Sequence, residues 1–144
     1  MTEARFAQLA AGSPNFGRLL EHEPVLVSYG VAAETSVYAD PNTSLIKSRQ
    51  FAEALTDALL ARLGASAHGD RQVDKLRTLT EDGVLTTRVG AAFDQIRVAG
   101  NQAVHEHFAD PRAALKSVES CFRLGEWFHR AVTGSREQIA FVAP

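Results

Sequence analysis

Residues 40–64, "DPNTSLIKSRQFAEALTDALLARLG", carry the signals that decide the fold. Asp40 is a good N-cap residue because its carboxylate can accept backbone N–H groups, and Pro41 suits the first turn of a helix. Apolar side chains then recur at helical spacing, at Leu45, Ala52, Leu55, Leu59 and Leu63. Gly64 can adopt the left-handed backbone that ends a helix. The segment therefore predicts one long helix with an apolar face.

The Asp-Pro start is repeated at Asp110-Pro111, which opens a helix predicted to run to Gly134. Its apolar residues are Leu115, Val118, Phe122, Phe128 and Val132. A further helical stripe is formed by Leu85, Val89, Phe93, Ile96, Gly100 and Val104. Shorter helices are predicted around residues 16–20, from Pro24 onward and around residues 73–76.

The stretch "VLVSYGV", residues 25–31, could also form a strand, but the helical period of its neighbours favours a helix. We therefore predict an all-α helical bundle. Its two long central helices, the one from Pro41 and the one around residues 85–105, are expected to be the longest and to lie antiparallel.

The domain organisation follows the same signals. Residues 1–14 are interpreted as an N-terminal lead, residues 15–134 as a single helical domain, and residues 135–144 as a C-terminal tail. The tail ends on the apolar "IAFVAP" without a capping residue, which is typical of a chain trimmed from a longer protein. We expect it to lead to further domains in the natural protein.

Composition narrows the functional classes. The 144 residues are 45% hydrophobic and 22% charged, and their net charge of −2 gives no general attraction to nucleic acid or to an anionic membrane. The single cysteine excludes a disulfide framework and favours a cytoplasmic setting. No stretch approaches the roughly 20 apolar residues of a membrane span, and we expect no membrane contact.

Polar side chains at helical spacing form the candidate site. Arg97, Asn101 and His105 lie four residues apart on one helix, and Arg49 and Glu53 lie four apart on another. If the two helices are antiparallel neighbours, we expect Arg49, Glu53, Arg97 and Asn101 to form one structural polar cluster. Glu53 would then accept from both arginines, and His105 would lie at the open end.

Gly100 lies within the apolar stripe of the same helix. A mid-helix glycine costs about 1 kcal/mol relative to alanine, so we expect another helix to cross closely at that point.

Two blocks of this sequence resemble a known family. "ADPNTSLIKSRQFAEAL", residues 39–55, and "IRVAGNQAVHEHFADPRAAL", residues 96–115, are similar to the N-terminal helical domain of type I restriction enzyme R (HsdR) subunits and related helicases. That domain is similar in turn to the HEPN superfamily of helical, nucleic-acid-associated domains. The resemblance covers about residues 15–133.

The resemblance implies a motif on one helix, because HEPN ribonucleases carry an arginine, a polar residue, three variable residues and a histidine there and cut RNA without metal. Asn101 and His105 match the last two positions, whereas Gly100 occupies the position of the arginine. An arginine at 100 would lie about 7.5 Å along the helix axis from His105, but Arg97 lies about 12 Å away. A phosphate held by Arg97 would therefore sit badly for proton transfer by His105.

The resemblance thus implies a non-catalytic docking or nucleic-acid-associated domain of a DNA-translocating restriction endonuclease, itself a type I site-specific deoxyribonuclease and ATPase. The expected partners are other subunits or domains of a restriction-modification complex, DNA or RNA, and a second copy of the chain. Arg49, Arg97, Asn101 and His105 are the candidate binding residues. Two alternatives stay open: a homodimeric, metal-independent endoribonuclease with His105 as the catalytic acid/base, and a structural dimerisation domain.

Other chemistry finds no support in the sequence. His105 and His107 are 200° apart on a helix and cannot share a metal ion, and the glycines near residue 64 lack a phosphate-loop lysine. We therefore expect no metal site and no cofactor. Cys121 lies on a broad apolar face and is expected to be buried instead of nucleophilic.

Overall fold

The structure, a computed structural model, describes residues 2–144, in which it contains α-helices, a short 3-10 helix and no β-strand. The helices are α1 (Glu3–Ala11), α2 (Pro24–Ser36), α3 (Pro41–Leu63), α4 (Gln72–Glu81), α5 (Thr87–His105) and α6 (Pro111–Thr133), and the 3-10 helix spans Gly17–Glu21. The predicted all-α class is confirmed. The ambiguous stretch at residues 25–31 lies inside α2 and is helical.

Capping residues set the helix ends as the sequence predicts. The Asp40 carboxylate accepts the backbone N–H of Thr43 at 3.1 Å and its hydroxyl at 2.6 Å, and these hydrogen bonds lower the pKa of Asp40. Asp110 accepts the backbone N–H of Arg112 at 3.2 Å. Gly64 and Gly134 end α3 and α6 with φ of 62° and 70°, a left-handed conformation that glycine adopts without a steric penalty.

Three long helices form the centre of the fold, since α3, α5 and α6 pack against one another and α3 also contacts α2 and α4. The Asn42 amide donates to the Ala103 carbonyl at 2.8 Å, and Arg49 packs on Gly100, so α3 and α5 run antiparallel. The expectation that these two are the longest helices is wrong. α3 and α6 have 23 residues each, whereas α5 has 19.

The core is built around four fully buried phenylalanine rings, Phe16, Phe51, Phe93 and Phe128. Three residues assigned to apolar faces are exposed instead: Leu63 (53%), Val104 (39%) and Val132 (40%). Leu63 and Val132 lie in the last turns of their helices. Val104 points to solvent because α5 turns its small residues, Ala99, Gly100 and Ala103, toward the core.

Both ends of the chain pack on the helices. α1 contacts α2 and the 3-10 helix. In the tail, the Asn15 amide donates to the Val142 carbonyl and accepts the Val142 N–H, both at 2.8 Å, and the rings of Phe122 and Phe141 are 5.4 Å apart. Met1 of the predicted lead lies outside the described residues. The proposed boundaries at residues 14 and 134 stay predictions.

None of the helices described for residues 2–144 combines the length and apolar character required to cross a membrane.

Candidate functional site

A cleft of about 390 Å³ lies between α3, α5 and the start of α4. It is lined by Arg49, Glu53, Asp70, Arg71, Gln72, Val73, Lys75, Arg97 and Asn101. The structure thus brings together the four residues for which the sequence predicts a polar cluster. Whether they serve a structural or a binding role stays a prediction.

Gly100 determines how closely α3 and α5 approach each other beside the cleft. A Cβ atom on Gly100 would lie 2.7 Å from the Cβ of Arg49 and 3.0 Å from its Cδ. Carbon atoms pack at about 3.5–4.0 Å, so even a methyl group here would displace the stem of Arg49. The predicted close crossing at Gly100 is confirmed.

Arg49 and Glu53 form an ion pair within α3, in which Arg49 Nε donates to Glu53 Oε1 at 2.7 Å. Their side chains are 33% and 38% exposed, and such surface pairs contribute only a few tenths of a kcal/mol. Within residues 2–144, Glu53 forms no ion pair with Arg97. Glu53 is therefore not the shared acceptor that the spacing suggested.

Arg97 Nε is one of two buried polar atoms of the cleft lining that have no hydrogen-bond partner among residues 2–144. Its ion-pair partner, Asp94 Oδ1, lies 3.6 Å from Arg97 Nε, and this distance is too long for a hydrogen bond. A buried cationic N–H without an acceptor costs free energy, so this side of the cleft is not fully satisfied by the fold.

The first turn of α4 forms the other wall, which sequence reasoning missed. The Gln72 amide donates to Thr56 Oγ1 at 2.9 Å, while Gln72 Oε1 is buried without a partner in the range 2–144. Lys75 Nζ donates to Asp57 Oδ1 at 2.7 Å. Arg71 and Lys75 lie four residues apart at the start of a helix, and this spacing is the sequence signal from which the α4 wall could have been predicted.

Arg71 also contributes to this wall. Its Nε donates to Asp74 Oδ2 at 3.2 Å, and this hydrogen bond lowers the pKa of Asp74.

The charge of the lining differs in sign from that of the chain. Four basic residues (Arg49, Arg71, Lys75 and Arg97) face two acids (Glu53 and Asp70), so the lining carries a formal charge of +2. The whole chain carries −2. Each of the four bases also has a carboxylate within ion-pair distance: Glu53 for Arg49, Asp74 for Arg71, Asp57 for Lys75 and Asp94 for Arg97. The positive excess is therefore confined to the residues that line the cleft itself.

His105 does not share this site. It is exposed at the last position of α5 and is not part of the cleft lining, whereas Arg97 and Asn101 are. The following loop contains His107, also exposed, with a φ of 53°.

Cys121 is fully buried, as predicted. Its thiol lies 3.6 Å from the Ser48 carbonyl, and burial raises the pKa of Cys121 to about 12. A thiol with this pKa supplies no thiolate nucleophile at neutral pH.

A second polar group, which the sequence did not indicate, lies where the 3-10 helix meets α6. Glu21, His22 and His129 present one carboxylate oxygen and two ring nitrogens within 4.8 Å of one another.

Comparison with known proteins places the fold and cleft in a family. A family model described as "Domain of unknown function (DUF4145)" matches residues 31–127, a range that contains the whole cleft lining and all of α3, α4 and α5. No solved structure matches the chain.

A curated relative is the type I restriction enzyme EcoKI endonuclease subunit of Escherichia coli (strain K12). It is 38% identical over 102 residues, which is 71% of this chain. The match covers 9% of that relative's length. Since the family model matches well over half of the sequence, this chain belongs to the DUF4145 family of domains of unknown function.

Proposed function

We propose that this chain is a non-catalytic docking domain of a type I restriction system, placed at the N-terminus of an R subunit that translocates and cleaves DNA. The 38% identity to the EcoKI endonuclease subunit supports this assignment. The partners would be the other subunits or domains of the restriction-modification complex, in the cytoplasm. Motor and nuclease activity would belong to other parts of the parent protein, which explains why the match covers only 9% of the relative.

The contact chemistry that we propose for the cleft is the capture of a backbone phosphate of DNA. The observation that carries it is the basic lining around Arg97, whose side chain is 29% exposed and whose buried Nε has no hydrogen-bond partner among residues 2–144. A phosphate oxygen would accept from the exposed part of the Arg97 guanidinium, and Arg71 and Lys75 on the α4 wall would add charge. Gly100 supports the arrangement because it lets the stem of Arg49 pack tightly on α5.

We further propose that the scaffold is HEPN-like, with α3 and α5 as the antiparallel pair that carries the site. The antiparallel contacts of Asn42 with Ala103 and of Arg49 with Gly100 support it. In this arrangement His105 stays available to a protein partner, since it is exposed at the end of α5.

Titration of the chain with labelled duplex DNA at several salt concentrations tests the phosphate contact. Because only a few phosphates can reach one cleft, we expect weak binding. Its association constant should fall, for each phosphate contacted, by about 0.9 logarithmic unit per tenfold rise in salt concentration. Arg97→Gln should weaken binding and lower that slope by about 1. Arg88→Gln, an exposed arginine on the same helix outside the cleft lining, is the matched control.

The outcomes separate the candidate roles. Equal loss in the Arg97 and Arg88 variants would show general charge attraction and contradict the cleft as the contact. Absence of salt-dependent binding would favour the structural dimerisation domain. Parallel titrations with single-stranded DNA and RNA identify the nucleic acid.

A metal-independent ribonuclease is the second candidate, and the position of Arg49 favours it. Its stem packs directly over Gly100, so α3 supplies an arginine beside the position where the α5 motif lacks one. Arg49 could then hold a phosphate while His105 acts as acid/base in a homodimer. Incubation with labelled RNA and EDTA, with His105→Ala as the control, decides it: cleavage lost in that variant would establish the ribonuclease.

A further inference from the structure

The strongest site outside the cleft is the group of Glu21, His22 and His129, which joins the end of the 3-10 helix to the last turns of α6. His22 Nε2 lies 2.8 Å from His129 Nδ1. Glu21 Oε1 lies 3.3 Å from the first nitrogen and 3.6 Å from the second. Three donor atoms of different residues thus form one small triangle.

The size of this triangle matches the coordination sphere of a transition-metal ion. At metal–ligand bonds of about 2.0–2.1 Å, neighbouring ligand atoms are about 2.9 Å apart at 90° and about 3.3 Å apart at the tetrahedral angle. From the three observed separations, the point equidistant from the donor atoms lies about 1.9 Å from each. An ion would therefore sit close to the plane of the triangle without movement of the helices.

Burial holds the two imidazoles in place. The side chains of His22 and His129 are only 7% and 10% exposed, and the ring of His22 packs edge-on against Phe128 at 5.9 Å. The two ring nitrogens share a hydrogen bond at 2.8 Å, so a bound ion takes the place of the proton between them. The Glu21 side chain is 61% exposed, which leaves a solvent-facing position for a fourth ligand.

Charges around the group are balanced. Arg62, which donates to the His22 carbonyl at 3.3 Å, is a cation beside the group and opposes a bound metal ion, but its guanidinium also lies 3.7 Å from the Glu23 carboxylate. Arg18 is paired with Glu126. The carboxylate of Glu21 therefore remains to neutralise part of the ion's charge.

We propose that Glu21, His22 and His129 form a binding site for a divalent transition-metal ion of the zinc type. Two imidazole nitrogens and one carboxylate oxygen suit Zn²⁺, Co²⁺ or Ni²⁺, whereas Mg²⁺ and Ca²⁺ prefer oxygen ligands. The ion joins residues 21–22 to residue 129, and so fixes the 3-10 helix on α6. The proposal departs from the expectation, drawn from the sequence, that the chain has no metal site.

Zn²⁺ binding to the EDTA-treated chain without a histidine tag tests the proposal. We expect one Zn²⁺ per chain by calorimetry, a higher melting temperature with Zn²⁺, and visible absorption of a bound Co²⁺ ion. His129→Gln should lower the Zn²⁺ affinity at least about tenfold. Glu21→Gln, which leaves both buried rings in place, should lower the affinity as well and guards against a folding defect in the histidine variant.

The matched control is the double variant His105→Gln/His107→Gln, which removes two exposed imidazoles elsewhere. It should retain wild-type Zn²⁺ affinity and the Co²⁺ absorption. The proposal is overturned if the wild-type chain binds no Zn²⁺ stoichiometrically, or if both Glu21→Gln and His129→Gln keep the wild-type Zn²⁺ affinity.

Discussion

Two polar regions of this molecule each contain a partly buried arginine, and the two arginines differ in their hydrogen bonding. Where the 3-10 helix meets α6, Arg18 donates through Nε to Glu126 Oε2 at 2.8 Å and through Nη2 to the other carboxylate oxygen. In the cleft, Arg97 Nε is buried and has no acceptor among residues 2–144. In the first region the arginine is fully paired with a carboxylate. In the second, Arg97 Nε has only Asp94 Oδ1 at 3.6 Å, and we propose that a bound phosphate adds negative charge there.

The largest effect is expected from breaking the ion pair of the first region. Glu126→Gln removes the charge opposite Arg18, whose side chain is 18% exposed, while that of Glu126 is 7% exposed. Loss of one partner of a buried ion pair leaves the other uncompensated, and we expect a loss of about 3 kcal/mol in the free energy of unfolding. Urea denaturation followed by circular dichroism measures it.

The matched control is Glu119→Gln on the same helix, where Glu119 accepts from Arg123 at 2.7 Å on an exposed surface. This change should cost less than about 0.5 kcal/mol. If both variants lost the same small amount, the distinction between the two regions would be wrong.

A smaller loss is expected when the helix crossing beside the cleft is overpacked. Gly100→Leu places side-chain atoms where Arg49 lies, so we expect a loss of about 1–3 kcal/mol in the free energy of unfolding. Gly90 lies on the same helix, and a methyl group added there would meet no atom within 4 Å. Gly90→Ala should therefore stabilise by about 1 kcal/mol through helix propensity. An unchanged or higher melting temperature in Gly100→Leu would contradict the crossing.

The pH dependence of stability probes the histidine region. The pKa of His22 is lowered from 6.5, mainly by burial, while Glu21 raises it. Further charges that act on the ring are His129, Arg62 and Glu23. His22 of the unfolded chain takes up a proton near pH 6.5, whereas the folded ring does so only at lower pH. The contribution of His22 to the free energy of unfolding is therefore full above pH 6.5 and is lost as the pH falls below 6.5.

Unfolding free energies at pH 7.5 and 5.5, measured with EDTA present, check this direction. The decline in the free energy of unfolding from pH 7.5 to pH 5.5 should be smaller in His22→Gln than in the wild-type chain. His68→Gln, an exposed histidine, should keep the wild-type decline. A decline unaffected by His22→Gln would assign the pH dependence to other groups.

The contrast between local and distant contacts explains what could be predicted from the sequence. The Asp-Pro starts and the glycine ends depend on residues within a few positions of each other, and the structure bears them out. Arg49 and Glu53 pair as their spacing of four indicates. Local geometry fixes all of these, so periodicity is sufficient to find them.

Contacts between residues far apart in the chain could not be predicted from the sequence. His22 and His129 are 107 positions apart, and only the packing of the 3-10 helix on α6 brings them to 2.8 Å. The α4 wall was missed for the same reason. The partner of Arg97 was mispredicted because helix spacing does not give the rotation of α5 against α3, on which Glu53 lies. Arg97 lies instead beside Asp94, three residues before it on its own helix.

The smallest effects concern pairs within the cleft. A double-mutant cycle on Arg49→Gln and Glu53→Gln should give a coupling of about 0.3–0.5 kcal/mol, as for exposed pairs four apart on a helix. A second cycle on Glu53→Gln and Arg97→Gln should give a coupling indistinguishable from zero, because the two form no ion pair within residues 2–144. Strong coupling in the second cycle would mean that Arg97 has an internal acceptor.

The most direct test of the central claim is the ¹H–¹⁵N spectrum of the arginine Nε–H groups during titration with a short DNA duplex. We predict that the Arg97 signal shifts in a saturable way, because a phosphate bound to the exposed part of its guanidinium changes the electrostatic surroundings of Nε. The Arg18 signal should stay in place, since Glu126 already accepts from it. An Arg97 signal that never moves, or an Arg18 signal that moves equally, would contradict the proposal that the cleft is the docking site.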